Sequence, residues 1–160
     1  MDKFNKLALV AVEYQRKGKL GEAKKIYKEL LNIQQKNPQI LRLMGTIEYE
    51  LKNYLKSFEY LSKSIEINPN ESETYSNRGM VNVKLNNIDQ AIEDYEKAAK
   101  LDNKNPNPFF NLGHLFKEQD NLEKSIEYFN KCLLIDNKNY KAFHNRAVVK
   151  NLQNKYHEAI

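Results

Sequence analysis

The chain of 160 residues has one cysteine, Cys132, so it cannot close an internal disulfide. It has no apolar run approaching the ~20 residues that a membrane-spanning helix needs. Its beginning lacks a secretory layout, because the apolar stretch Leu7 to Val12 is short and runs into charge rather than a small-residue cleavage site. The sequon Asn70-Glu71-Ser72 is then a chance match, since glycosylation needs the secretory route. There is no phosphate-binding loop, no nucleophile elbow and no Cys-x-x-Cys pair. These absences argue against a disulfide scaffold, a membrane span and the common catalytic motifs. They lead to the expectation of a soluble, cytoplasmic, non-enzymatic protein with no cofactor and no small-molecule substrate.

Charge of one sign is also scarce. The net charge is +5 from 26 basic and 21 acidic residues. The lysines are scattered rather than gathered on one arm or face, so a nucleic-acid partner is not expected. A composition that is 41% hydrophobic and 29% charged is globular.

What the chain does have is a repeat. Ala11, Gly45, Gly79, Gly113 and Ala147 follow one another at intervals of 34 residues. Ala23, Ser57, Ala91, Ser125 and Ala159 form a second small-residue series with the same spacing. Tyr27, Leu61, Tyr95 and Phe129 form a large apolar series, and Leu30, Ser64, Ala98 and Cys132 a fourth series. Polar linkers at Lys17-Gly18-Lys19, Leu51-Lys52-Asn53, Asn86-Asn87 and Asp120-Asn121 divide each unit into two helix-period segments. The pattern predicts first helices at about 4–17, 38–51, 72–85, 106–119 and 140–153, and second helices at about 20–34, 54–68, 88–102 and 122–136. Pro38 and Pro106 fall in the first turn of their helices, where a missing N–H costs nothing.

With several series in one phase, the chain resembles the tetratricopeptide repeat family, whose period is 34 residues. The family pattern has a bulky residue at position 4, Leu-Gly at 7 and 8, an aromatic at 11, and Ala at 20 and 27 with an aromatic between. The fourth repeat follows it with Phe109, Leu112, Gly113, Phe116, Phe129 and Cys132, and the second with Gly45, Ser57, Leu61 and Pro69. The resemblance implies an all-α fold, a right-handed α-solenoid of stacked antiparallel helix pairs. One array would occupy residues 1–160, with repeats at 4–37, 38–71, 72–105, 106–139 and a partial 140–160. Small residues at positions 8, 20 and 27 are expected to let paired helices approach closely. Because the fifth unit stops after Ala159-Ile160, Phe143, Ala147 and Val149 are expected to lack cover. That end is expected to fray or to stack end to end on another molecule, self-association included, and a functional domain, if there is one, would lie outside these residues.

The family binds peptides on the face lined by first helices, at positions 2, 5, 6, 9, 12 and 13. This implies a groove carrying Arg42, Asn77, Lys84, Asn111, His114, Lys117, Lys141 and Asn145. Asn77, Asn111 and Asn145 occupy one register and offer both donor and acceptor to a peptide backbone. The series is similar to the asparagine ladder on the tetratricopeptide arm of a glycosyltransferase, which keeps open a non-catalytic arm of a larger enzyme. A co-chaperone carboxylate clamp fits poorly: Arg42 and Asn77 match loosely, while Thr46, Asn107 and Asn111 do not. A weaker preference for acidic peptides would rest on Arg42, Lys84, Lys117 and Lys141, countered by Glu50, Glu73 and Glu118. His114 and His144 have no third ligand to complete a zinc site, and His157 lies further along. Cys132 holds a packing position and is expected to be a buried small hydrophobe. Arg78 and Arg146 stand where the family has leucine. Each stem is expected to cover apolar surface while the guanidinium reaches solvent or a carboxylate.

Overall fold

The structure is a computed structural model that describes residues 3–158, with side chains to residue 154. The described residues form α-helices joined by turns, with no strand among them. In order these are α1 (Lys3–Arg16), α2 (Leu20–Ile33), α3 (Pro38–Glu50), α4 (Tyr54–Ile67), α5 (Ser72–Lys84), α6 (Ile88–Leu101), α7 (Pro106–Glu118), α8 (Leu122–Ile135) and α9 (Tyr140–Glu158). The first eight match the expected helices to within about a residue at each end. The last differs: α9 runs on to Glu158 without interruption, where a break after residue 153 and the opening of a second helix near His157 were expected. Lys150 to Glu158 contains neither glycine nor proline, so nothing local breaks the helix. The side chain of His157 and the whole of Ala159 lie outside the described residues.

The chain separates into two compact units, Met1–Asn87 and Ile88–Ile160. In the first, α1 packs on α2, α2 on α3, α3 on α4, and α5 on both α4 and α3. Its core gathers Ala11, Ala23, Tyr27, Leu30, Ile40, Met44 and Ile47. In the second, α7 packs on α6, α8 and α9, and α8 also on α9. Its core gathers Leu122, Phe129, Cys132, Leu133, Ala142 and Val149. Val149 is fully buried there, contrary to the expectation that it lacks cover, because α9 lays it against α8. Phe143 and Ala147 do stay exposed.

Several helix ends have a visible local cause. Asparagine side chains cap α3, α7, α8 and α9: Asn37, Asn105, Asn121 and Asn139 accept from Ile40, Asn107, Lys124 and Ala142 N–H. The intra-repeat turns share one geometry. Gly18, Lys52, Asn86 and Asp120 all have positive φ, between 58° and 70°. The N–H of the next residue then bonds back five residues, from Lys19 to Tyr14, Asn53 to Glu48, Asn87 to Asn82 and Asn121 to Phe116, at 2.8–2.9 Å.

The glycines mark the close approaches. A Cβ on Gly45 would sit 2.6 Å from Leu61 Cγ, and one on Gly113 2.7 Å from Phe129 Cδ1. Helix propensity is given up at these positions so that the second helix can press its large residue against bare backbone. The small partners at position 20 do more than make room. Ser57 Oγ donates to the Gly45 carbonyl and Ser125 Oγ to the Gly113 carbonyl, both at 2.7 Å and both buried. Ser64 Oγ likewise donates to the Pro38 carbonyl at 2.8 Å.

Two buried polar residues replace the family aromatic at position 11. Glu48 is 1% exposed, receives Lys24 of α2 at 2.7 Å and accepts from Asn53 Nδ2 at 2.9 Å. Asn82, also 1% exposed, accepts from Asn87 Nδ2 at 3.5 Å. Burial pushes the Glu48 carboxyl up, but the hydrogen bonds and charge of Lys24, with Asn53, outweigh it and hold the group below its ordinary value.

Candidate functional site

The candidate groove residues lie on first helices, α1, α3, α5, α7 and α9, and each unit carries its own set. In the first unit, Arg42 of α3 reaches Glu73 of α5, Thr46 and Tyr49 of α3 share a recess with Asn77 and Met80 of α5, and α5 also carries Lys84. Asn77 shares the wall of a small recess, about 20 Å3, with Gly45, Thr46, Tyr49, Ser57, Leu61 and Met80. Four of these seven, Thr46, Tyr49, Asn77 and Met80, are the groove positions of two successive repeats. Next to them, Ser76 Oγ is buried with no hydrogen-bond partner among the described residues.

Arg42 does not project into solvent. Its Nη1 lies 2.7 Å from Glu73 Oε1 and its Nε 3.2 Å from Glu71 Oε1, with the side chain only 15% exposed. The Nε hydrogen is not aligned with Glu71, so that contact is an ion pair without a hydrogen bond. Glu71 also accepts from Thr74 Oγ1 at 3.0 Å, which fixes the carboxylate at the start of α5. Gln15 Nε2 of α1 donates to Glu50 Oε1 of α3 at 3.1 Å, so groove residues of adjacent repeats brace each other. Lys84 is exposed in the last turn of α5.

In the second unit, Asn111 is half-buried and His114 exposed on α7, and Lys117 pairs with its neighbour Glu118 at 3.2 Å. On α9, Lys141 and His144 are exposed, and Asn145 Nδ2 donates back to the Lys141 carbonyl at 2.8 Å. Asn107, Phe110 and Lys141 line a recess of about 450 Å3 with Asp136, Lys138, Asn139 and Tyr140. Tyr140 is 73% exposed at its rim. No cluster of three or more metal-ligating side chains occurs among the described residues. Cys132 is fully buried and burial pushes its thiol up to about 11, which suits packing rather than nucleophilic work.

The two arginines at position 7 share a structural task, and their partners differ from expectation. Arg78 stacks over the rings of Tyr75 and Phe58, 5.7 and 5.8 Å from their centroids, and donates to Ser62 Oγ at 3.3 Å. Arg146 stacks over Phe143 at 5.2 Å and donates to Asn130 Oδ1 at 2.7 Å. In both cases the guanidinium reaches a polar residue on the preceding second helix. Ser62 and Asn130 are themselves one repeat position seen twice, so the pairing is a recurrent device.

The hydrogen bonds of the serines at position 20, read only as small residues, and the polar residues at position 11 escaped the sequence reading. The signal for the serines was present: alanine alone satisfies a purely steric requirement, and serine alternates with it at position 20.

No helix among the described residues is long and apolar enough to cross a membrane. Sequence profiles described as "Tetratricopeptide repeat" match residues 7–37, 39–71 and 107–139, and one described as "TPR repeat" matches residues 82–120. No curated protein matches by sequence. Among solved structures, MamA (41-end) from Desulfovibrio magneticus RS-1 superposes with a TM-score of 0.85 at 21% identity, covering 99% of this chain and 89% of that one. PilF of Pseudomonas aeruginosa gives 0.83 at 20% identity, covering 92% and 68%. YrrB, described as a TPR protein with an unusual peptide-binding site, gives 0.77 at 23% identity, covering 86% and 71%. At such identities the likeness establishes the fold, the all-α solenoid of helix pairs.

Proposed function

The chain belongs to the tetratricopeptide repeat family, and from that premise we propose that it is a non-catalytic interaction scaffold. It holds an extended or helical segment of a protein partner against its first helices. The observation that carries this reading is the recess of the first unit, where Asn77 stands with Thr46, Tyr49 and Met80. An asparagine amide there can meet either the N–H or the C=O of a partner backbone. The apolar side chains beside it supply contact area without demanding a sequence. YrrB, described as having a peptide-binding site, shares this fold, which is consistent with such use.

The charges temper the choice of partner. Arg42 is answered by Glu71 and Glu73, and Lys117 by Glu118. A partner is therefore recognised chiefly through backbone hydrogen bonds and apolar contact, with Lys84 and Lys141 giving a mild bias toward acid. The test is affinity capture with the intact protein, compared with a variant carrying Asn77→Ala, Asn111→Ala and Asn145→Ala. Partners should be lost or held at least tenfold more weakly. An unchanged set of partners at unchanged affinity would refute the groove assignment.

A further inference from the structure

The search for a further site leads away from the groove residues, to the turn edge of the first unit. The α3–α4 turn and the end of α5 enclose a recess of about 330 Å3, lined by Lys52, Asn53, Tyr54, Leu55, Lys56 and Leu85. Leu55 is 70% exposed. The other repeats place Gly21, Asp89 and Glu123 at its position, so the fold does not require an apolar residue there. A lone exposed leucine carries no message. Here Leu55 is joined by the half-buried Leu85 and Tyr54 around one concavity, and Leu51 just before the turn is also exposed. The grouping of these side chains around one open recess, rather than a lone exposed leucine, gives an incoming apolar side chain somewhere to sit.

The recess is rigid before anything enters it. Lys52 is held at φ 62° with its N–H on the Tyr49 carbonyl at 2.9 Å. Asn53 is tied by backbone and side chain to Glu48 at 2.8 and 2.9 Å. The Tyr54 ring lies against Tyr49 at 5.6 Å. A preformed surface spares an incoming segment part of the ordering cost.

The rim selects the occupant. Lys52 and Lys56 flank Leu55, and the ion pairs of the first unit among the described residues use Lys17, Lys24 and Arg42 instead. Lys56 feels Glu48, but that carboxylate is buried and already held by Lys24 and Asn53. We propose that this edge is a second docking surface, separate from the groove, and that its occupant is a protein segment presenting one aliphatic or aromatic side chain flanked by Asp or Glu. The apolar side chain fills the recess beside Leu55 and Leu85, and the carboxylates meet Lys52 and Lys56.

The test pans a displayed library of random twelve-residue peptides on the intact protein and counter-selects on Leu55→Glu. Leu55 is largely exposed, so the variant keeps its fold, which circular dichroism verifies. Enriched peptides should carry a large apolar residue between acidic ones. They should bind at least tenfold more weakly to Leu55→Glu and to a Lys52→Glu, Lys56→Glu double variant. They should bind equally well to Asn77→Ala, which separates this surface from the proposed groove. The proposal is overturned by a pool without acidic residues, by no enrichment over Leu55→Glu, or by loss of binding in Asn77→Ala. A concentration-dependent dimer in sedimentation that disappears in Leu55→Glu would also overturn it, by giving the surface to a second copy of the chain.

Discussion

Replacing Gly113 by alanine sets two terms against each other. In an isolated helix the change stabilises by about 1 kcal/mol through helix propensity. Here the new Cβ would lie 2.7 Å from Phe129 Cδ1, 2.8 Å from Cε1 and 3.0 Å from Cγ. It meets three adjacent atoms of a rigid ring, not the free end of a flexible chain, and the ring is fully buried with the Phe110 centroid 5.8 Å from its own. Relief requires α7 and α8 to part by several tenths of an ångström. Overpacking of that kind costs about 1–3 kcal/mol. Separation also stretches the buried Ser125 Oγ to Gly113 carbonyl bond, now 2.7 Å, which puts at risk a further ~1 kcal/mol. The sum favours destabilisation by about 1–3 kcal/mol. Urea unfolding followed by circular dichroism measures it, with Ala147→Gly as the internal contrast. Ala147 occupies the same repeat position but is exposed, so propensity alone should govern it and glycine should cost about 1 kcal/mol. An unfolding midpoint for Gly113→Ala above that of the wild type would refute the close-approach account.

Other expectations concern single groups. With its thiol pushed up to about 11 and fully buried, Cys132 should resist a maleimide at pH 8 in the folded protein and react promptly in denaturant; rapid labelling without denaturant would contradict the packing assignment. The Glu48 carboxyl is held below its ordinary value in the folded chain, so it contributes stability above pH 4.5 that is lost as pH falls through the folded value. Glu48→Gln should therefore lower stability by about 2 kcal/mol at pH 7, and the deficit should shrink as pH falls through the folded value of the carboxyl. A deficit that stays constant in urea titrations through the acid limb, down to the pH at which the wild type unfolds, would contradict this charge-based account. Gly18→Ala meets no atom within 4 Å but forces alanine to φ +70°, a cost of about 1–2 kcal/mol. A thermal midpoint unchanged in that variant would mean that the turn relaxes to another conformation.

The helices were legible because the periodicity places apolar, small and punctuating residues in one register over most of the chain. The same register made the close approaches of Gly45 and Gly113 readable, since a glycine inside a helix pattern asks for a packing reason. The end of α9 was not readable. The expected break near residue 153 came from extending the period, while the residues there form a continuous helix. Polar partners were the harder part. Glu48 and Asn82 stand where an aromatic is customary, and only the turn geometry reveals that each meets the asparagine five residues on. Arg78 and Arg146 were readable as structural through their stems, but the helix that receives each guanidinium depends on side-chain reach, which periodicity does not encode.

The candidate groove shows the same limit more sharply. Counting charges by repeat position puts Arg42 among the cations available to an acidic peptide. Its environment shows otherwise: Glu71 belongs to the link before α5, outside the positions assigned to the groove, yet lies 3.2 Å from Nε, while Glu73 lies 2.7 Å from Nη1. Arg42 and Glu71 are only 15% and 23% exposed, so their attraction is screened little by solvent, whereas Glu73, at 61%, is the more open partner. A ligand carboxylate would have to displace Glu73 to gain Arg42, exchanging one ion pair for another. Among the described residues, the lysines here that stand outside any ion pair are Lys52 and Lys56 on the turn edge, the latter felt by the buried Glu48, and Lys84 and Lys141 on the first helices. On the reading proposed above, the two tasks are separate: amides and apolar side chains of the first helices would hold one segment, and Lys52 and Lys56 beside exposed Leu55 would select what docks at the edge.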